Sequence, residues 1–157
     1  MNEVVPSTGP VTTLVYPSIS HAEFGRLLQK YGYDAEPVTE EDRIGYRTLC
    51  QPRFTAWMQT PFKPRPGEFG GVFLFECYSL PAGLTAAVIQ ALHGRLMYAH
   101  AEPKRNGSLA VAFTLVVSGG ITEYYLRDQL WHWKNDLTKV RDEIRKQGRR
   151  TLGMTVH

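Results

Sequence analysis

Several features that would assign a function class at once are missing from this sequence. It contains two cysteines in 157 residues, Cys50 and Cys77, which are too few for a disulfide framework and too far apart for a structural zinc site. Its longest apolar run, 109–117, is interrupted by Thr114 and is far shorter than the roughly 20 residues of a membrane-spanning helix. The first 17 residues contain three prolines and no lysine or arginine, so we expect no secretory signal and a cytoplasmic location.

Motifs of catalysis and cofactor binding are also missing. Neither glycine-rich phosphate loop occurs, G-x-G-x-x-G or G-x-x-x-x-G-K-[ST], and the nucleophile elbow G-x-S-x-G and the zinc motif H-E-x-x-H are absent as well. His93 and His100 could approach one another, but nothing supplies a third metal ligand. Cys50 and Cys77 lie on predicted strands without a nearby base, so we expect buried structural thiols. The sequence therefore predicts no enzyme, no metal and no cofactor.

The composition is typical of one globular domain. Hydrophobic residues make up 43% of the chain and charged residues 21%, and a chain of this length buries roughly 70% of its unfolded surface without needing a disulfide or metal. We predict a single α+β domain over 18–150, with a flexible N-terminal tail at 1–17 and a C-terminal tail at 151–157. The net charge of +3 is spread unevenly, because 1–42 contains seven acidic and two basic residues.

The apolar patterns predict the element order α-β-β-β-α-β-β-α. Ser20 and Glu23 have the spacing of a capping box and precede an apolar stripe, which predicts a helix over 21–31. The acidic segment 36–42 is expected to link this helix to the strands. The other predicted elements are strands at 43–50, 53–59, 72–78, 95–101 and 109–117 and helices at 83–93 and from 123 to Gly148. Strands in runs with short connections predict a five-stranded, mainly antiparallel sheet covered by helices.

Two groups of apolar residues are candidates for protein contacts. The short middle helix has a broad apolar face, which predicts a dimer interface formed by Leu84, Val88, Ile89 and Leu92. Large aromatic residues beside the buried stripe of the last helix, and two phenylalanines of the proline-rich loop 61–69, predict a partner-binding surface. This surface contains Phe62, Phe69, Tyr125 and Trp131. The competing interpretation is that the last helix is embedded more deeply in the core.

The basic end of the last helix supports an alternative function. Lysine and arginine on a helix can neutralise phosphates, so this end could contact nucleic acid. The residues concerned are Lys139, Arg145, Lys146, Arg149 and Arg150. However, strands with interleaved aromatic residues, which stack on bases, are not predicted here. A solvated helix end whose bases are favoured by the helix dipole explains the same pattern.

One segment resembles a known family. The turn Gly119-Gly120-Ile121-Thr122-Glu123 follows the predicted hairpin and leads to Leu126-Arg127-Asp128 and Trp133 in the last helix. This arrangement resembles the YbjN-like "sensory transduction regulator" domain, in outline over 20–147 and in detail over 92–137. The resemblance implies a fold like that of type III secretion chaperones, which are small cytoplasmic proteins that usually form homodimers and grip extended segments of a client protein.

The resemblance also implies an adaptor or regulator without catalysis, because the family has no agreed catalytic residues to transfer. The sequence departs from the family pattern at His93-Gly94-Arg95, where the entry to the next strand is shortened. It departs again in the proline-rich loop 61–69, which is longer than is typical of the family. From the sequence we therefore expect a homodimeric protein-binding regulator or chaperone, with a nucleic-acid-binding regulator as the alternative.

Overall fold

The computed structural model describes residues 15–59, 65–81 and 83–151. Within these residues the chain is α+β, as predicted, with a large antiparallel sheet and three helices, α1 (His21–Lys30), α2 (Leu84–Leu92) and α3 (Glu123–Thr151). The described strands are, in chain order, β1 (Val15–Tyr16), β2 (Ile19–Ser20), β3 (Ala35–Glu40), β4 (Arg43–Thr48), β5 (Thr55–Gln59), β6 (Glu68–Phe69), β7 (Gly71–Tyr78), β8 (His100–Pro103), β9 (Leu109–Val116) and β10 (Ile121–Thr122).

The main sheet contains six strands in the order β3-β4-β5-β7-β9-β8, and every neighbouring pair is antiparallel. The predicted count of five was wrong because β3 overlaps the segment 36–42, which was expected to be an acidic link. All six residues of β3 pair with β4. Pro37 and the glutamates of β3 are tolerated because this strand is at the edge of the sheet, where proline and charge are common.

Several boundaries also differ from the sequence prediction. The strand expected at 95–101 begins at His100, because residues 93–95 form a turn. The last helix does not end at Gly148 but continues to Thr151. A helical conformation costs glycine only about 1 kcal/mol relative to alanine, which neighbouring turns of a long helix can offset.

The predicted N-terminal tail is partly structured. Val15 and Tyr16 form β1, which pairs with β10, and the Tyr16 side chain is buried. The flexible tail predicted at 1–17 is therefore corrected at its last residues, because burial of an aromatic side chain and strand pairing hold them against the domain. Residues 1–14 and 152–157 lie outside the described residues.

The core lies between one face of the sheet and the helices. The apolar stripe of α3 is half-buried at Ile144 and buried at Leu126, Leu130, Trp133, Leu137 and Val140. From α1, Phe24, Leu27 and Leu28 are also buried. The capping box at the start of α1 is confirmed, since the Ser20 hydroxyl accepts from the Glu23 N–H at 3.2 Å and the Glu23 carboxylate accepts from the Ser20 N–H at 3.0 Å. No helix within the described residues is long and apolar enough to cross a membrane.

Candidate functional site

A groove of about 670 Å³ lies between the end of α1 and the first half of α3. We call it the Trp131 groove. One wall consists of four α3 side chains, the opposite wall is the chain at 30–34, and the floor is Thr48 together with residues 50–52. The α3 wall is formed by Glu123, Arg127, Trp131 and Lys134. These positions are separated by four, four and three residues, so they share one face of the helix.

Trp131 presents its indole ring to the groove. Its side chain is 56% exposed, whereas Trp133 is completely buried in the core two residues later. The expectation that Trp131 projects beside the buried stripe is confirmed, and deeper embedding of the helix does not cover it. The chain therefore keeps a large aromatic side chain accessible on the wall of a concave site.

The two walls are tied together by tyrosine hydroxyl groups. Tyr31 donates to the Glu123 carbonyl at 3.3 Å, and Tyr33 donates to the Leu130 carbonyl at 3.0 Å. Burial raises the pKa of Tyr33 to about 12 and, with the adjacent Glu123, also raises the pKa of Tyr31. Both hydroxyl groups therefore stay neutral donors at physiological pH, and the width of the groove is fixed by the fold.

The charges of the Trp131 groove are only partly paired. Lys30 forms an ion pair with Glu123, and the hydrogen bond from Lys30 lowers the pKa of that carboxyl. Arg127 and Lys134 form no ion pair within the described part of the chain, although the Arg127 guanidinium lies 5.5 Å from the centre of the Tyr124 ring. Two cations are therefore available on the same wall as Trp131.

The thiols differ from the sequence prediction. Cys50 is exposed on the floor of the Trp131 groove and Cys77 is half-buried, so the expected burial was wrong for Cys50. The reason is that β4 ends at Thr48, which places Cys50 in the following bend. The Cys50 thiol contacts Asp34, with Sγ 3.9 Å from a carboxylate oxygen.

The four predicted partner-binding residues do not form one surface. Phe62 lies outside the described residues, and Phe69 is buried in β6, where it pairs with Ile19. Tyr125 is 49% exposed but is not part of the Trp131 groove. Of the three members that the structure describes, Trp131 alone lines the groove.

The predicted dimer surface on α2 requires correction. Leu84, Val88 and Leu92 belong to the hydrophobic core of the chain itself, and Ile89 is half-buried against it. Their apolar face was interpreted as an interface because α2 is short, but it packs towards α3 and the sheet. Burial within the chain leaves these three residues without exposed surface for a second copy.

Most of the predicted phosphate-binding residues have partners within the chain. Lys139 forms an ion pair with Asp136 at 3.0 Å and donates to the Arg95 carbonyl at 3.0 Å. Arg145 and Lys146 lie 3.7 Å and 3.9 Å from acidic groups one turn earlier on α3. Arg149 and Arg150 are exposed in the last turn of the helix. The positive charge of three of these five side chains is therefore partly neutralised within the chain.

A buried carboxylate on α3, that of Asp136, was not predicted from the sequence. Asp136 is completely buried on α3, and its carboxylate accepts from the backbone N–H groups of Met97, Tyr98 and Ala99 at 2.9–3.1 Å. Burial alone would raise the pKa of Asp136, but these N–H groups and the Lys139 ammonium outweigh it and lower the pKa. The available signal was an acidic residue directly beside the apolar stripe, since such a residue needs partners when the helix is buried.

The segment 97–99, whose N–H groups donate to Asp136, extends the aromatic surface next to Trp131. The Tyr98 ring lies 5.6 Å from Phe113 and 5.1 Å from His132, and the His132 ring lies 4.8 Å from Trp131, between ring centres. Tyr98 is itself exposed. A row of ring contacts therefore runs from the sheet to the groove, and it is held in place by Asp136.

The described residues contain no cluster of three or more His, Cys, Asp or Glu side chains that could hold a metal ion. No protein-family model matches this sequence, and a search of the curated proteins finds no match either.

Proposed function

We propose that this protein is a non-enzymatic regulator or chaperone-like adaptor that holds an extended segment of a client protein in the Trp131 groove. The type III secretion chaperone-like fold and the YbjN-like family membership are part of this proposal. The observation that carries it is the exposed Trp131 indole on the wall of a concave site. Tryptophan is one of the residues most enriched among the few that contribute most of the binding energy at protein interfaces.

The construction of the groove supports binding without large rearrangement. Tyr31 and Tyr33 link the opposite wall to the backbone of α3, so a client does not have to order the site when it binds. Preorganisation of this kind lowers the entropic cost of association. The adjacent ring contacts of Tyr98 and His132 would extend the contact surface beyond the groove itself.

A random library of displayed twelve-residue peptides tests this proposal. Peptides selected on the full chain should bind at least tenfold more weakly to the Trp131→Ala variant, because truncating a central aromatic anchor costs about 2 kcal/mol or more. Val116→Ala is the control, since Val116 is a 52% exposed apolar residue that does not line the groove. Selected peptides that bind both variants equally well, or a library that yields none, would contradict the proposal.

A homodimer is the other part of the proposal, and it rests on the resemblance. The interface would have to use a surface other than Leu84, Val88 and Leu92, which are buried in the chain. Sedimentation equilibrium compares the mass in solution with the 17.8 kDa of one chain. A monomer at micromolar concentration would remove the dimer and leave the groove proposal standing.

A further inference from the structure

We infer that the client segment is acidic: an extended peptide with two carboxylates four residues apart and an apolar side chain midway between them. The apolar side chain contacts Trp131, and the two carboxylates pair with Arg127 and Lys134. This inference rests on the proposed function, because it concerns the ligand of the same groove.

The spacing of the α3 side chains sets the spacing in the peptide. Arg127 and Lys134 are seven residues apart on one face of α3, with Trp131 between them. At about 1.5 Å of rise per residue, their backbone positions are separated by about 10 Å along the helix. An extended peptide advances about 3.3 Å per residue and its side chains alternate between two faces, so side chains that face the helix together are two or four residues apart. Four residues span about 13 Å, which the long side chains of Arg127 and Lys134 can reach from backbone positions about 10 Å apart.

The charges of the groove favour carboxylates at these two places. The ammonium group of Lys30 is already paired with Glu123, so it does not attract a further anion strongly. Arg127 and Lys134 have no acidic partner within the described residues, and both are exposed. Complementary charge of this kind selects the partner and speeds its association more than it adds affinity, so we expect binding to weaken with salt.

The same groove is poorly matched to a nucleic acid. Asp34 and Glu123 also line it, and a phosphate at every nucleotide would bring negative charge next to both carboxylates. A peptide can carry acidic residues only where the groove offers cations. The observations therefore favour an acidic peptide over a single-stranded RNA or DNA.

The peptide selection described above provides the test when its sequences are compared across variants. We expect the enriched peptides to share two acidic residues four apart, with an apolar residue midway between them. A synthetic peptide of this kind should bind at least tenfold more weakly to the double variant Arg127→Glu/Lys134→Glu, and at least fivefold more weakly when its two acids are changed to glutamine. Arg149→Glu, a charge reversal on the exposed end of the same helix, should leave binding unchanged within twofold.

The outcomes separate this inference from the proposed function. Enriched peptides that need Trp131 but carry no paired acids, or that bind the double variant normally, overturn the acidic ligand and leave the groove as a peptide site. Failure to enrich any Trp131-dependent peptide overturns both. Binding of a fluorescein-labelled ten-nucleotide oligouridine that is lost in the double variant, without peptide binding, overturns both in favour of a nucleic acid.

Discussion

Several backbone N–H groups donate hydrogen bonds to the side chain of Asp136. Its carboxylate satisfies three consecutive N–H groups, at Met97, Tyr98 and Ala99, that have no strand partner, and it also pairs with Lys139. Hydrogen bonds to a charged acceptor contribute more than neutral ones, and their loss leaves buried donors unsatisfied. A single residue of α3 therefore determines the conformation of the chain that presents Tyr98.

Replacing Asp136 by asparagine should destabilise the protein. The amide oxygen can take the place of Oδ2, but the NH2 group must then face the Lys139 ammonium and the Met97 N–H, and the negative charge is lost. We therefore expect the free energy of unfolding to fall by about 2–4 kcal/mol. Urea denaturation measures this change. Asp142→Asn is the matched control, because Asp142 is exposed on the same helix, 3.7 Å from Arg145, and should change stability by no more than about 0.5 kcal/mol. Equal effects of the two substitutions would contradict the role given to Asp136.

Gly45 is required by the close approach of two strands. A Cβ atom at this position of β4 would lie 2.0 Å from the backbone carbonyl oxygen of Ala56 on β5. The obstacle is backbone, so it cannot move aside as a flexible side chain would. Gly45→Ala should therefore lower the free energy of unfolding by about 1–3 kcal/mol, the usual range for overpacking. A variant as stable as the wild type in urea denaturation would show that β4 and β5 separate at little cost.

At the scale of elements, Gly148 differs from Gly45 because alanine at this position should stabilise the protein. The sequence suggested that it ends the last helix, but it lies within α3 and a Cβ atom there would meet nothing within 4 Å. Gly148→Ala should raise the free energy of unfolding by up to about 1 kcal/mol, because alanine loses less backbone entropy in a helix. Thermal denaturation followed by circular dichroism measures the effect. A lower melting temperature than that of the wild type would indicate that the helix ends at this glycine in solution.

Elements with strong periodicity were predictable from the sequence, and the others were not. The capping box and apolar stripe of α1 depend on neighbouring residues, so local patterns identified this helix. Strand β3 was missed because its proline and glutamates are typical of a link, and only its pairing with β4 makes it a strand. Pairing is a property of two distant segments, which a local pattern does not contain.

At the scale of the whole molecule, the candidate site depends on the same long-range information. The Trp131 groove combines residues 30–34, the bend at 50–52 and one face of α3, which are far apart in the sequence. The pattern of α3 was sufficient to predict that Trp131 projects beside the buried stripe. It did not place Cys50 or the tyrosines of the opposite wall near this ring, since their positions follow from how α1 and β4 pack.

The buried acids of α3 give the whole molecule a characteristic response to pH. For Glu143, burial opposes ionisation, but Arg95 at 2.9 Å and Gln147 outweigh it, so its pKa is lowered, as is that of Asp136. A carboxyl whose pKa is lower in the folded state than in the unfolded state stabilises the fold at pH values above its unfolded pKa. This contribution is lost as the pH falls below the ordinary values of 4.5 and 3.8.

Glu76 has the opposite effect. Burial raises its pKa above the ordinary value of 4.5 despite the Cys77 N–H, Arg53 and Arg141, so the folded state binds this proton more tightly than the unfolded state. Its contribution should therefore increase the free energy of unfolding as the pH falls towards 4.5, before the loss due to the α3 acids begins.

Urea denaturation at a series of pH values from about 7 to about 3 should show both effects. Glu76→Gln should remove the part of the increase above pH 4.5 that is due to this residue, because glutamine does not titrate. Asp136→Asn should make the free energy of unfolding fall less steeply at lower pH. In the wild type, the Asp136 carboxyl takes up a proton at a higher pH in the unfolded state than in the folded state, and asparagine does not titrate. A loss equally steep in the Asp136→Asn variant would mean that other carboxyl groups dominate acid unfolding, and that the backbone N–H groups of 97–99 do not hold a charged acceptor.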